Sequence, residues 1–196
     1  MDDIVRQALA KWPNVPHAYG WLSLDARGHW RLKQERITNA ALSGFIARNY
    51  QPDEEGRWFF QNGPQRVYVT LECAPFVFRM PADIRDELVA HTGEPAGALQ
   101  RLWLDENGRL IALTGLGVGV IDDRDLPVLC DRLRTASGAA PDDTTLLRWL
   151  DGDPSIALSV HHEPDPLPVE RTTLAGLSRA MGFIREPRPR PGEPEC

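Results

Sequence analysis

Three groupings in this chain of 196 residues have the residue types and spacing to do chemistry. Residues 114–120 read TGLGVGV, and glycines between a strand and a helix let backbone amides approach and cradle a phosphate. The spacing is GxGxG rather than GxGxxG and no basic residue lies inside the run, so a plain connector explains it equally well. His161, His162 and Glu163 form the densest cluster of metal-ligand types. On a strand, however, His161 and His162 point to opposite faces and cannot share one ion without a bulge. No metal and no cofactor is assigned. Cys73, next to Glu72, could meet His161 as a thiol–imidazole pair and make a small hydrolase-like enzyme. Its apolar and acidic neighbours raise a thiol's pKa instead of lowering it, which favours a buried structural cysteine. No catalytic residue is assigned.

Recognition is the other chemistry on offer. Six tryptophans are present, and Trp58 and Trp149 read as matched positions in the two halves of the chain. Their neighbours include Arg57, Arg66, Arg101 and Arg148. Matched aromatics and guanidinium groups near an interface would suit a small anionic or aromatic ligand. The candidate ligand-binding set is Trp58, Arg66, Glu72, Arg148, Trp149 and His161, the last as a proton-sensitive contact if its imidazole is neutral.

The elements that must position these groups repeat. Residues 21–32 read WLSLDARGHWRL and residues 102–113 read LWLDENGRLIAL, each an apolar run, an Asp, a Gly turn and a second apolar run. Gly28 supplies the positive φ that such a hairpin turn needs. In the first half a helix follows over 38–50, then a hairpin of strands 57–61 and 66–72 around Asn62-Gly63-Pro64. The second half is laid over this order with a helix from Asp122 through Leu133, a strand over 146–150, a turn at Asp151-Gly152-Asp153-Pro154 and a strand over 155–161. The predicted fold class is α+β, two tandem β-rich repeats of hairpin, helix and hairpin. The predicted division is an N-terminal helix and connector (1–16), a first repeat (17–80), a linking helix and loop (81–98), a second repeat (99–168), a C-terminal helix (169–184) and a disordered tail (185–196).

Composition narrows the function classes. The chain is 42% hydrophobic and 26% charged, typical of a globular protein. A net charge of −6 argues against broad nucleic-acid binding, which rests on dense positive charge. Only Lys11 and Lys33 are lysines; every other basic residue is arginine. No apolar run is long enough for a membrane span, and the acidic start MDDIVRQALAKW lacks the features of a secretory signal. Three cysteines without CxxC spacing read as free thiols in a reducing compartment, so the expected location is the cytoplasm.

The first half resembles a known family. Asp25, Gly28 and Trp30 fit a D-G-x-W hairpin with one extra residue, and Glu72, Ala74, Pro75 and Phe76 fit a V-E-D-A-P-F segment, with Cys73 standing at the family's Asp. These are the marks of a proteobacterial family catalogued as a domain of unknown function, which residues 19–80 resemble. The resemblance implies an α+β fold of repeated motifs and a part in ligand sensing or signal transduction. The expected protein is therefore a small-ligand-binding or sensory module with its site where the repeats meet. A small enzyme using Cys73 or a histidine, and a protein–protein adaptor, are the alternatives, and the oligomeric state is open.

Overall fold

The computed structural model describes residues 1–12, 15–80, 87–161 and 165–193. The chain opens on α1 (Asp3–Lys11), which buries Val5, and the amide of Asp2 donates to Asn49 Oδ1 at 2.8 Å. Next, β1 (Ala18–Leu24) and β2 (Trp30–Leu32) form a hairpin with Leu24 opposite Trp30, and β3 (Glu35–Arg36) pairs with β2. The Asn39 side chain accepts from the Leu42 amide and so caps α2 (Ala40–Arg48). Three further strands follow, β4 (Tyr50–Pro52), β5 (Trp58–Asn62) and β6 (Gln65–Leu71). The six strands make one sheet in the order β3-β2-β1-β6-β5-β4, antiparallel throughout except at the central β1/β6 pair.

The chain then crosses to a second sheet through β7 (Phe76–Arg79) and β8 (Val89–Ala90). The hairpin β9 (Leu99–Leu104) and β10 (Leu110–Thr114) follows, with β11 (Val118–Ile121), a 3-10 turn at Asp123–Asp125 and α3 (Leu126–Cys130). The remaining elements are β12 (Leu133–Thr135), α4 (Asp143–Leu150), β13 (Leu158–Val160), β14 (Leu167–Arg171) and α5 (Leu174–Met181). The sheet runs β12-β13-β14-β9-β10-β11-β7-β8. Its stretch β11-β10-β9-β14-β13-β12 has the strand order and senses of the first sheet, with β9/β14 as the parallel pair. α2 lies between β3 and β4 in sequence as α3 lies between β11 and β12; α4 is extra. Among the described residues the fold is thus a β-rich mixture of two sheets and five α-helices.

One turn chemistry joins these strands. In the turn after β1, the Asp25 amide donates to the His29 carbonyl, Gly28 N–H donates to the Asp25 carbonyl, and Asp25 Oδ1 accepts from the amides of Arg27 and His29. The same bonds recur at Asp53, Gly56 and Arg57 between β4 and β5, and at Asp105, Gly108 and Arg109 between β9 and β10. At each, the glycine has positive φ, 79° at Gly28 and Gly56 and 74° at Gly108. Each carboxylate also receives an arginine: Arg31 Nε at 3.0 Å, Arg57 Nε at 2.8 Å and Arg109 Nε at 2.8 Å. A fourth copy follows β12, where Thr135 takes the Asp position and bonds Ala139 and Gly138 through the backbone, without an arginine.

Alternation along the strands divides the core. Leu22, Leu24, Val69 and Leu71 of the first sheet pack with Trp103, Ile111 and Val120 of the second and with Leu174 and Leu177 of α5. Leu102, Leu104 and Leu110 face the other way, against Leu129 of α3 and Trp149 of α4. On the outer face of the first sheet lie Tyr19, Phe59 and Tyr68. Arg57 is buried there, donating to both tyrosine hydroxyls and to the Arg188 carbonyl, and it sits 3.3 Å from Glu193.

Several elements depart from the sequence reading. Residues 146–150 form the end of α4, not a strand: Asp142 accepts from the Thr145 amide as a cap, and Leu146, Trp149 and Leu150 have helical spacing. Trp149 therefore does not match Trp58, and the turn at 151–154 has no counterpart in the Asn62–Gln65 connection. The helix and loop predicted for 81–98 fall partly on residues 81–86, outside the described residues, and Val89–Ala90 form strand β8. In the loop that follows, Pro95 pairs with Val89 and Ala96 is fully buried. The tail read as disordered is placed through Glu193: the Leu71 amide donates to the Arg185 carbonyl, and Tyr19 donates to Glu193 at 2.8 Å. Its low apolar content hid a role that depends on charge.

His91, after β8, packs between the sheets against Trp30, Tyr50 and Phe76, with ring centroids 5.1, 5.9 and 6.2 Å away. Gly28 makes this possible, since a Cβ there would lie 2.8 Å from the His91 Cβ. The His91 Nδ1 accepts from the Val77 amide, so the ring proton is on Nε2, which has no partner among the described residues. Burial lowers the imidazole pKa to about 3. Asp105→Ala strips a fully buried carboxylate from two amides and Arg109, and urea titration should show a loss of about 3 kcal/mol. Glu170→Ala, which removes only an exposed pair with Arg101, should change stability by less than ~1 kcal/mol. An unfolded imidazole takes up its proton near the ordinary value of 6.5 whereas folded His91 stays neutral to about 3, so stability falls as pH drops through that window. Urea midpoints between pH 7 and 4.5 should decline, and His91→Phe should remove about one proton from that slope, leaving the share of His17, which burial also lowers.

Candidate functional site

The equivalent turns of the two sheets, 25–29 and 105–109, open onto one cleft of about 540 Å³. Its walls carry Arg27, Arg31 and Arg109 together with Asp25, Glu72 and Asp123. The carboxylates are largely committed to the fold. Burial pushes the Asp25 carboxyl up, but the amides of His29 and Arg27 and the Arg31 guanidinium outweigh it and hold it below the usual range. Glu72 Oε2 accepts the Ala26 amide at 3.0 Å, which ties the end of β6 to the first turn.

The guanidinium groups are held yet not exhausted. Arg109 donates through Nε to Asp105, and its Nη1 lies 4.0 Å from Glu72 Oε1, beyond hydrogen-bond reach, so its terminal nitrogens keep their donors. Arg27 donates through Nη2 to Asp123 at 2.6 Å, and Arg31 uses Nε on Asp25 and Nη1 on the Gln34 carbonyl. A planar fork fixed through one edge presents the other to an anion in a set geometry, the arrangement that recognises carboxylate or phosphate oxygens. Glu72 Oε1 remains beside it to accept from a hydroxyl or amine.

Further cavities adjoin the sheets, of which two border the same elements. One of about 440 Å³ lies beside α2 and is bordered by His29, Arg36, Ser43 and His91. The other, of about 230 Å³, lies under α3 and α4 and is lined by Leu104, Leu129, Leu133, Trp149 and further apolar residues.

The six residues proposed from sequence do not converge. Glu72 lines the polar cleft and Trp149 the apolar cavity. Trp58 packs in the core 4.7 Å from the Tyr50 ring and 5.1 Å from that of Phe76. Arg66 lies over Phe59 on the first sheet, Arg148 pairs with Asp153 on the exposed side of α4, and His161 is exposed just beyond β13. Helical geometry at 143–150 is what separates Arg148 and Trp149 from the others. His162 and Glu163 lie outside the described residues. Cys73 is buried, and desolvation pushes its thiol up to about 12, so at neutral pH it is a protonated core residue. No group of three metal-ligating side chains occurs among the described residues.

The glycine run is a strand connection, not a phosphate cradle. Gly115 N–H donates to the Ala98 carbonyl, Leu116 N–H to that of Ala96 and Gly117 N–H to that of Thr114, so these amides are spent. Gly119 lies in β11, where a Cβ would come within 2.4 Å of the Phe78 ring. The residues that sequence reasoning missed are Arg27, Arg31 and Arg109. The D-x-x-G-R pattern shared by Asp53-Glu54-Glu55-Gly56-Arg57 and Asp105-Glu106-Asn107-Gly108-Arg109 marks Arg109, but it marks the buried Arg57 equally, and the first turn, Asp25-Ala26-Arg27-Gly28-His29, lacks it.

Among the described residues no helix is long and apolar enough to cross a membrane. A search of curated proteins gives no match. The chain is similar in fold to a DUF1285 family protein from Silicibacter pomeroyi DSS-3, with a TM-score of 0.53 and 16% identity over 91% of this chain and 100% of that one. At such identity the likeness concerns the fold alone. The family model described as "Protein of unknown function (DUF2946)" matches residues 1–188, and the chain belongs to that family.

Proposed function

We propose that this protein is a binding module for a small anion, of carboxylate or phosphate class, held in the cleft between the two sheets. The observation that carries the reading is the meeting of two topologically equivalent turns, whose Arg27 and Arg109 keep unspent donors facing the same space. The matched strand orders support a chain built from two copies of one α+β unit, with the cleft at their junction. A ligand bridging Arg27 and Arg109 would fix the two sheets relative to one another, which gives binding a structural output suited to sensing. The unpaired Cys73 and Cys130 thiols fit a reducing compartment such as the cytoplasm.

Calorimetric titration of the full chain with acetate, citrate and inorganic phosphate tests this. Binding of at least one anion is expected, weakened fivefold or more by Arg27→Gln. That substitution removes only an ion pair whose partners are both about half exposed, so the fold should be kept. Heat of binding that is unchanged in the variant, or absent for all three anions, would contradict the proposal.

A further inference from the structure

The polar cleft and the apolar cavity share two wall residues. Gly108 and Leu126 border both the 540 Å³ cleft and the 230 Å³ cavity. Gly108 belongs to the turn that holds Arg109 and is exposed, without a side chain to stand between the two spaces. The cavity lies beneath α3 and α4, where Leu129, Leu133, Leu146 and Trp149 line it and, among the described residues, no charged side chain does. A dry apolar cavity of ~150 Å³ already accommodates a benzene molecule. The mouth of the cavity beneath α3 and α4 is apolar as well, with Leu150 on its rim 44% exposed.

We infer that the cleft and the cavity are the head and tail subsites for one single-chain amphiphile, a carboxylate or phosphate bearing an alkyl or aryl tail. The inference rests on the reading of the cleft as an anion site and adds the class of ligand. The head meets the donors of Arg27 and Arg109, while the tail passes Leu126 and Gly108 to lie against Leu129 and Trp149. Charge and hydrophobicity are thereby separated along one path, so neither a short anion nor a neutral hydrocarbon satisfies both ends. Burying each methylene on the path adds a fixed increment of binding until the cavity is full.

Calorimetric titration of the full chain with sodium carboxylates from acetate to decanoate, each below its micellar concentration, tests the inference. The dissociation constant should fall about two- to fourfold per added methylene and then level off. Leu146→Trp, which fills the cavity, should abolish the dependence on chain length and leave acetate binding unchanged; Leu150→Glu, at the exposed rim, provides the same test should the first variant fail to fold. Arg27→Gln should weaken every chain length by a similar factor. Acetate binding without any gain from longer chains would overturn the amphiphile and leave the anion site standing, whereas no binding of any carboxylate would remove both. Decanol binding as tightly as decanoate would overturn the inference by showing an apolar pocket with no head group. So would a dimer that Leu146→Trp dissociates, since a second copy would then occupy the cavity.

Discussion

An aspartate that accepts the amides of its own turn, and an arginine that closes on the same carboxylate, is the constraint from which the rest of the structure follows. A five-residue turn leaves N–H groups that no strand partner reaches, and Asp25, Asp53 and Asp105 satisfy them at the turn itself. The glycine at the fourth position provides the left-handed residue that lets the chain reverse into the strand register. Registers fixed in this way decide which residues face the shared core. In β9, Trp103 turns toward the first sheet while Leu102 and Leu104 turn toward α3 and α4. A register slip by one residue would exchange them.

The same turn serves two ends according to what covers it. Around Asp53 the C-terminal segment closes over Arg57, whose side chain is only 4% exposed and whose donors are taken by Asp53, Tyr19, Tyr68 and the Arg188 carbonyl. Gly56 lies so close to Gly182 that a Cβ would overlap its carbonyl oxygen, which shows how tightly this turn and the end of α5 are joined. Around Asp105 none of the described residues closes the cleft in this way, and Arg109 keeps its terminal donors toward it. A guanidinium already held by a buried carboxylate would lose little freedom on binding an anion, so the structural pairing would prepare the recognition proposed for the cleft.

The twin hairpins were legible because their apolar runs, Asp and Gly are local and nearly identical in sequence. The helix at 40–48 was legible from its cap and helical spacing, whereas the C-terminal helix placed at 169–184 begins only at Leu174, after β14. The second half beyond Leu133 was not, because the run Leu146, Leu147, Trp149 and Leu150 satisfies a buried strand as readily as an amphipathic helix. The capping Asp142 was the discriminating signal. Matching residues 146–161 onto the first hairpin misplaced the candidate site, because α4 is inserted between β12 and β13. Of that set only Glu72 lies in the cleft, for it follows β6, which pairs with β1 and ends beside the first turn. The arginines were hidden by their number: in a chain with two lysines, nothing in sequence separates a buried structural arginine such as Arg57 from one with donors to spare.

The most direct measurement is nitrogen-15 NMR of the arginine side chains during titration with sodium butyrate. Nε–H signals of Arg57 and Arg109 should be protected from solvent exchange, each held by its aspartate, while butyrate shifts the signals of Arg109 and Arg27 and leaves Arg57 unmoved. An Arg109 Nε–H that exchanges as fast as that of a free surface arginine, or a titration that moves none of the cleft arginines, would contradict a carboxylate-held guanidinium as the basis of both the fold and the site.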